Sequence, residues 1–266
     1  MHSWSLPVLL ILTLIALAYL RGWHQLGTAF PWVLQEWRPA AFFAGLLILL
    51  AATASPLAML DHHYLTAHMA QHLLIMTVAA PLILLGAPVI TLFHGLPPSL
   101  SRQFYRRAVL HWIGPVITHP VFCWLTCTAV VIGWHVPAVF EMGMRSELGH
   151  GIEQSCFLIA GILFWWPVIR PWPTAAKWPV WSIPVYLFLA ALPCDALSAF
   201  LCLCNRVVYS HYLPGEQLLD ISELQDQACA GALMWFWVTF AYLFPAAALT
   251  FRLLSPEKRF LEKQVV

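Results

Sequence analysis

The sequence predicts an all-α integral membrane protein built as a bundle of seven transmembrane helices. Of its 266 residues, 61% are hydrophobic and only 9% are charged, whereas soluble domains carry about 25% charged residues. Seven apolar stretches are also suited to crossing a hydrocarbon layer of roughly 30 Å. Because backbone groups in hydrocarbon must bond within their own segment or a closed barrel, and period-2 alternation is absent, we expect helices.

The predicted spans follow one another with short loops, so residues 1–266 are expected to form a single integral membrane domain. The spans are Leu6–Leu20, Pro39–Leu60, Leu65–Phe93, Val116–Phe140, Leu148–Ile169, Val180–Cys204 and Gln225–Leu254. The third is longer than a straight helix needs, and Pro81, Gly86 and Pro88 are expected to bend or end it. The first lacks a basic n-region and a small-residue cleavage site, which favours a retained helix over a signal peptide.

Basic residues predict the orientation. If the N-terminus is outside, eleven of the thirteen Lys and Arg residues fall on the inner side, and only Arg145 and Arg206 fall outside. The positive-inside rule therefore predicts an outer N-terminus and an inner C-terminus. The net charge is +1 and the sequence contains no basic cluster. We therefore expect contact with membrane lipid and no binding of nucleic acid.

Four histidines share one depth in this topology, because His68, His72, His135 and His150 all fall at outer helix ends. His68 and His72 lie four residues apart, so both face the same side of one helix. HExxH helices hold zinc with this spacing, and neutral imidazole also suits copper and iron. His68, His72 and His135 together predict a metal or haem site, and His150 is either a further ligand or an ordinary polar residue at a helix start. A single histidine at a helix end is also typical of a membrane interface.

Other polar and sulfur side chains fall near the same outer ends. Met142, Met144, Cys202 and Cys204 offer soft donors that favour cuprous copper, although methionines and buried thiols often serve packing alone. Asp226, at the start of the seventh span, can either cap that helix or orient a ligand imidazole. Asp195 lies inside a span, where a carboxylate indicates function unless it is protonated or paired.

Three stretches carry a resemblance to a known family. They are "HMAQHLLIMTVAAPLILLGAP" from His68, "WHVPAVFEMGMRSELGHGIEQSCFLIAGILFWWPVI" from Trp134 and "DQACAGALMW" from Asp226. In this order and spacing the sequence resembles the CtaG-type cytochrome c oxidase assembly factors, seven-helix membrane proteins of bacteria. Gln154 departs from the pattern, because many members have a second histidine there, four residues after His150. The identity of the fourth ligand therefore stays open.

The resemblance implies a non-enzymatic role in maturing a haem–copper oxidase in the bacterial cytoplasmic (inner) membrane. Copper, expected to be cuprous, would be delivered to or inserted into an oxidase subunit, with a periplasmic copper chaperone as a possible donor. In this reading His68, His72 and His135 are ligands and His150 is the candidate for the fourth. Asp226 and Asp195 would orient ligands or balance charge.

Two other functions remain open from the residues alone. A haem-binding membrane redox or electron-transfer protein would use paired histidines as axial ligands, although bis-histidine haem usually draws them from two facing helices. A transporter or channel would explain Asp195 and the prolines within spans, but no inverted repeat is visible. The copper-handling assembly factor is therefore the favoured interpretation.

Overall fold

In the computed structural model, residues 5–29, 35–55, 57–96, 118–171, 178–210 and 221–255 are described, and every regular element among them is helical. The first half contains α1 (Ser5–Ala29), α2 (Trp37–Ala54), α3 (Leu57–Leu60), α4 (Leu65–Leu74), a π-helical segment (Ile75–Ala79), α5 (Ala80–Leu85) and α6 (Pro88–Gly95). The second half contains α7 (Pro120–Trp134), α8 (Pro137–Met144), α9 (Glu147–Ile169), α10 (Ser182–Leu203) and α11 (Glu223–Leu254).

Six helical stretches are long and apolar enough to cross a membrane, and a bent pair brings the number to seven if it counts as one span. The six are Leu6–Gly27, Trp37–Leu60, Leu65–Leu85, Glu147–Ile169, Ser182–Leu203 and Glu223–Leu254, and the bent pair is α7 with α8. The chain is therefore a helical multi-pass membrane protein. The all-α prediction is confirmed, while the count of seven and the orientation remain predictions.

The third predicted span ends earlier than expected. Its helix stops at Leu85, Ala87 takes a left-handed conformation with φ of 50°, and α6 begins at Pro88. Because proline disfavours a helical conformation at the residue before it, the chain breaks at Ala87 and restarts in a new direction. The predicted span to Phe93 is therefore longer than the continuous helix. The break falls between Gly86 and Pro88, where these residues were expected to bend or end the helix.

The fourth predicted span is broken as well, and its first two residues, 116 and 117, lie outside the described part of the chain. The axes of α7 and α8 differ by 76°. Val136, between them, is extended with ψ of 122°, as expected for a residue that precedes a proline. The bend leaves His135 at the C-terminal end of α7 and not inside a helix.

The π-helical segment continues α4 and is held by two tryptophans. Trp165 Nε1 donates a 3.0 Å hydrogen bond to the Met76 carbonyl, which a regular helix would bond internally. Trp237 Nε1 donates to Thr77 Oγ1 at 2.7 Å. A Cβ at Gly161 would lie 3.0 Å from the Met76 Cα, so glycine there lets α9 approach this segment closely. The helix that carries His68 and His72 is thus fixed in the middle of the bundle.

Large apolar side chains point away from the bundle. Phe236, Phe240, Phe244 and Phe251 lie along α11 and are 64%, 59%, 73% and 75% exposed. Water would disfavour such a row, whereas lipid tails accommodate it. The main core lies inside, where α4, the π-helical segment and α5 pack with α7, α9, α10 and α11.

Candidate metal centre

Asp226 fixes the start of the helix that bears the paired histidines. The first N–H groups of a helix lack partners within it. Asp226 Oδ2 accepts from the Leu65 N–H at 2.6 Å, and Oδ1 accepts from the Thr66 N–H at 3.1 Å and the Thr66 hydroxyl at 2.6 Å. Its own helix is capped instead by Ser222 and Gln225, which form a capping box. Asp226 therefore positions α4 and does not cap α11.

His68, His72 and Glu153 form a compact group, here called the His–Glu cluster. The Nε2 atoms of His68 and His72 are 2.8 Å apart, and Glu153 Oε1 lies 3.4 Å from the first and 3.3 Å from the second. The three residues are 1%, 4% and 1% exposed. A circle through these atoms has a radius of about 1.8 Å, so an ion bonded at 2.0–2.2 Å fits just off their plane.

A second group, here called the His–Asp group, contains Asp61, His68 and His150. His150 Nε2 lies 3.5 Å from Asp61 Oδ2, and His62 Nε2 lies 3.6 Å from Asp61 Oδ1. In each group one ligand atom per residue lies within 4.8 Å of the others. His68 belongs to both groups, and its ring stacks on that of His150 with centroids 5.4 Å apart. The two groups therefore form one continuous patch of imidazole and carboxylate.

The His–Glu cluster contains a buried carboxylate whose recorded partners in the described chain are imidazoles and not Lys or Arg. Burying a carboxylate is costly unless a proton, a paired cation or a metal ion compensates it. Glu153 faces the rings of His68 and His72, and among the described residues its Oε2 has no hydrogen-bond partner. The ring of His72 also stacks on Phe157 at 4.0 Å, and that of His68 contacts Phe140 at 5.2 Å. The cluster is thus a cation-attracting group inside apolar walls.

His135 lies beside this cluster but belongs to neither group. Its Nδ1 lies 2.7 Å from the Val131 carbonyl and donates to it, since that oxygen can only accept. In that tautomer Nε2 carries a lone pair, and no described residue bonds to it. The Tyr209 hydroxyl donates to the His135 carbonyl at 2.9 Å, and burial raises the pKa of Tyr209, which keeps it a donor. His135 is therefore held with one nitrogen ready to bind an ion.

Gln154 occupies the position where a further imidazole was considered. Its Nε2 lies 3.3 Å from His150 Nε2, one helical turn away on α9. An amide nitrogen donates and does not ligate a metal, although the opposite amide orientation would present its oxygen. Gln154 thus contacts the ring of His150 directly.

The other predicted residues lie outside the two groups. Cys202 and Cys204 are partly buried free thiols, and neither belongs to a metal-type group of described residues. Asp195 is partly buried on α10, with an Oδ1 that lacks a hydrogen bond from the described chain. Met142 is 60% exposed, whereas Met144 packs in the core. The geometry brings His68, His72 and His150 together and gives these five residues no shared centre.

Sequence reasoning missed the two acidic members, Asp61 and Glu153. Glu153 lies inside a predicted span, where the same cost that drew attention to Asp195 applies. It also follows His150 by three residues, so both face one side of α9. Asp61 precedes two histidines in the stretch "LDHHYLT", which looked like an ordinary polar turn. Its burial depends on α4 and α9 packing against that turn, which the sequence does not reveal.

Fold and site together define a helical multi-pass membrane protein with a buried imidazole–carboxylate centre of the kind that holds a metal ion. The chain matches the family described as cytochrome c oxidase caa3 assembly factor (Caa3_CtaG) over residues 17–255. It belongs to that family, as the motifs around His68, His150 and Asp226 predict.

Two curated relatives are each 22% identical over 232 residues, namely the uncharacterized proteins Mb0105 of Mycobacterium bovis and MT0111 of Mycobacterium tuberculosis. The match covers 83% of this chain but only 34% of each relative, so the chain spans about a third of their length. No solved structure matches the chain.

Proposed function

We propose that this protein binds copper at the His–Glu cluster and helps to deliver or insert it during cytochrome c oxidase assembly. The observation that carries the proposal is the buried triangle of His68 Nε2, His72 Nε2 and Glu153 Oε1, with edges of 2.8, 3.3 and 3.4 Å. Membership of the oxidase assembly family supplies the recipient. The copper ion is the cargo in this proposal. It is passed on by ligand exchange, and no covalent bond of a substrate is made or broken.

The donor chemistry bears on the oxidation state. Imidazole binds copper and zinc, and carboxylate oxygen shifts preference towards harder, divalent ions. A cupric ion therefore suits the His–Glu cluster better than the cuprous ion that Met142, Met144 and the two cysteines led us to expect. The neighbouring His–Asp group adds an imidazole and a carboxylate within reach of His68, which gives an ion a path for stepwise exchange.

We further propose the predicted topology, with the N-terminus outside a bacterial inner membrane. In that orientation the starts of α4, α9 and α11 lie at the outer face, and so does the His–Glu cluster. A periplasmic copper chaperone is then a suitable donor, and an oxidase subunit in the same membrane is the recipient. The excess of Lys and Arg on the opposite side supports this arrangement.

Haem gains no support from the geometry. Two axial histidines must lie on opposite faces of a macrocycle, whereas His68 and His72 bring their Nε2 atoms within 2.8 Å of each other. Next to them lies a cavity of about 30 Å³, which is close to the size of one or two water molecules. A metal ion fits this space and a macrocycle does not.

The test is complementation of cells in which the gene is deleted. The wild-type gene should restore oxidase activity and the copper content of the purified oxidase, and the double variant His68→Ala, His72→Ala should not. His94→Ala is the matched control, because His94 lies on α6 and bonds its Nδ1 to the Ile90 carbonyl, away from the cluster. Equal protein levels must be verified in membranes. Full restoration of oxidase copper by the double variant would overturn the proposal.

A further inference from the structure

A small cavity next to the His–Glu cluster is lined by a different set of donors. It has a volume of about 30 Å³ and lies between α4, the π-helical segment, α7, α9, α10 and α11. Its potential ligands are Met69, His72, Met76, His135, Cys194 and Met234. His72 is thus shared with the His–Glu cluster, while the other five belong to the cavity alone.

The donors of this cavity are soft. The residues that line it include three methionines, one cysteine and two histidines, with the hydroxyl residues Thr77 and Tyr242, and no carboxylate. Thioether and thiolate ligands select cuprous copper, whereas carboxylates suit harder ions. We propose that this cavity is a second metal site, which takes a bare cuprous ion through methionine sulfur and imidazole nitrogen.

The size of the cavity agrees with this assignment. A space that holds about one or two water molecules has room for a bare ion, but not for an ion with its hydration shell. The remaining walls are mostly apolar and include Leu73, Phe157 and Val238. The hydroxyls of Thr77 and Tyr242 also line the cavity, but that of Thr77 already donates to the Leu73 carbonyl and accepts from Trp237, so few oxygen atoms can replace the water of a hard ion. Only an ion that readily exchanges water for sulfur is stable here, which excludes magnesium and disfavours zinc.

Two features of the lining prepare it for binding. Met69, His72 and Met76 are three and four residues apart, so they lie on one side of the α4 helix and its continuation. His135 approaches from α7 with its Nδ1 bonded to the Val131 carbonyl, which leaves Nε2 as the acceptor nitrogen. Met69, Met76 and Met234 are 3%, 7% and 4% exposed, so bulk solvent hardly reaches these side chains.

The role of this cavity site in copper delivery rests on the proposed function. Because His72 borders both sites, a cuprous ion can move between them by exchange of ligands around one ring. No change of oxidation state is needed for this step. The His–Glu cluster, whose carboxylate suits a cupric ion better, would bind the cuprous ion only weakly and in passing, and the cavity would hold it where harder ions are rejected.

The test is X-ray absorption at the copper edge on the purified full-length protein, loaded with cuprous ion under anaerobic conditions. The wild type should show sulfur in the first shell of copper. In the double variant Met69→Leu, Met234→Leu, which nearly conserves volume, the sulfur signal should fall and cuprous affinity should drop at least about tenfold. Met142→Leu is the matched control, because Met142 is 60% exposed, and it should change neither quantity.

Two outcomes would overturn the proposal: a first shell without sulfur in the wild type, or unchanged cuprous affinity in the double variant. If that variant does not fold, Met234→Leu alone must still reduce the number of sulfur neighbours. Glu153→Gln separates the two sites, since it should weaken zinc and cupric binding while the sulfur shell of cuprous copper persists. The two proposals can also fail separately. If the wild type has sulfur in the first shell of copper but the His68→Ala, His72→Ala variant still restores oxidase copper fully, the proposed function is refuted and the cavity site is retained.

Discussion

Asp226→Asn should weaken metal binding although residue 226 touches no proposed ligand. The carboxylate of Asp226 accepts three hydrogen bonds from the first turn of α4, through the Leu65 N–H, the Thr66 N–H and the Thr66 hydroxyl. Asparagine retains one oxygen for Thr66 but places an NH₂ group opposite the Leu65 N–H, where two donors meet. The first turn of α4, which carries His68, then loses its fixed starting point.

The cost follows from the contacts. One charge-assisted hydrogen bond is lost and one buried N–H is left unsatisfied, which together lower the free energy of unfolding by about 2–4 kcal/mol. Loss of the groups that orient metal ligands typically reduces affinity by about 10–100-fold. Asp226 is 1% exposed, so water cannot replace the lost acceptor cheaply.

The assay is competition for zinc and cupric ions between the detergent-solubilised protein and a chelator, together with hydrogen exchange at the Leu65 and Thr66 amides. Both amides should exchange faster in Asp226→Asn. Glu223→Gln is the matched control, because Glu223 lies in the same first turn of α11 and, unlike Asp226, is not among the acceptors of the Leu65 and Thr66 hydrogen bonds. Wild-type affinity combined with faster exchange would refute the idea that the cap positions the ligands. Unchanged exchange would refute the cap itself.

Three further predictions concern residues on α9. Glu153→Gln should lower the affinity for cupric ion at least about tenfold, because it removes the anionic oxygen beside both imidazoles; isothermal titration measures this, and an unchanged affinity would contradict the His–Glu cluster. Gln154→His should raise the affinity, since it adds an imidazole next to that of His150; the same titration gives the answer, and a decrease would show that residue 154 lies wrongly for a ligand. Trp165→Phe should lower the free energy of unfolding by about 1–3 kcal/mol, because the Met76 carbonyl loses its donor; a thermal melt in detergent tests this, and an unchanged melting temperature would mean that water replaces the indole.

The helical class of this chain was predictable because it depends on composition and on runs of apolar residues, which the sequence displays directly. The helix limits were harder. The effect of Pro88 and Pro137 on the preceding residue follows from local sterics, yet whether a helix bends or stops there depends on its neighbours. The sequence therefore indicated a break near Gly86 but not that α7 and α8 would diverge by 76°.

The site was predicted in part for a similar reason. The i, i+4 spacing of His68 and His72 is local, and so their shared face could be read from the chain. The roles of Glu153 and Asp61 depend on how α9 and the turn before α4 pack together, which a single sequence does not reveal. The sulfur donors show the same limit. Met142 lies between His135 and His150 in the sequence and was therefore considered, whereas Met69 and Met234 line the same cavity only because α4 packs against α11.

Copper is proposed to bind between His68, His72 and Glu153. Anomalous diffraction at the copper edge, on crystals of the full-length protein loaded with cupric ion, tests this most directly. We expect an anomalous peak within bonding distance of both Nε2 atoms and of Glu153 Oε1. A copper-loaded crystal with no peak at that triangle, or with copper bound only elsewhere, would contradict it.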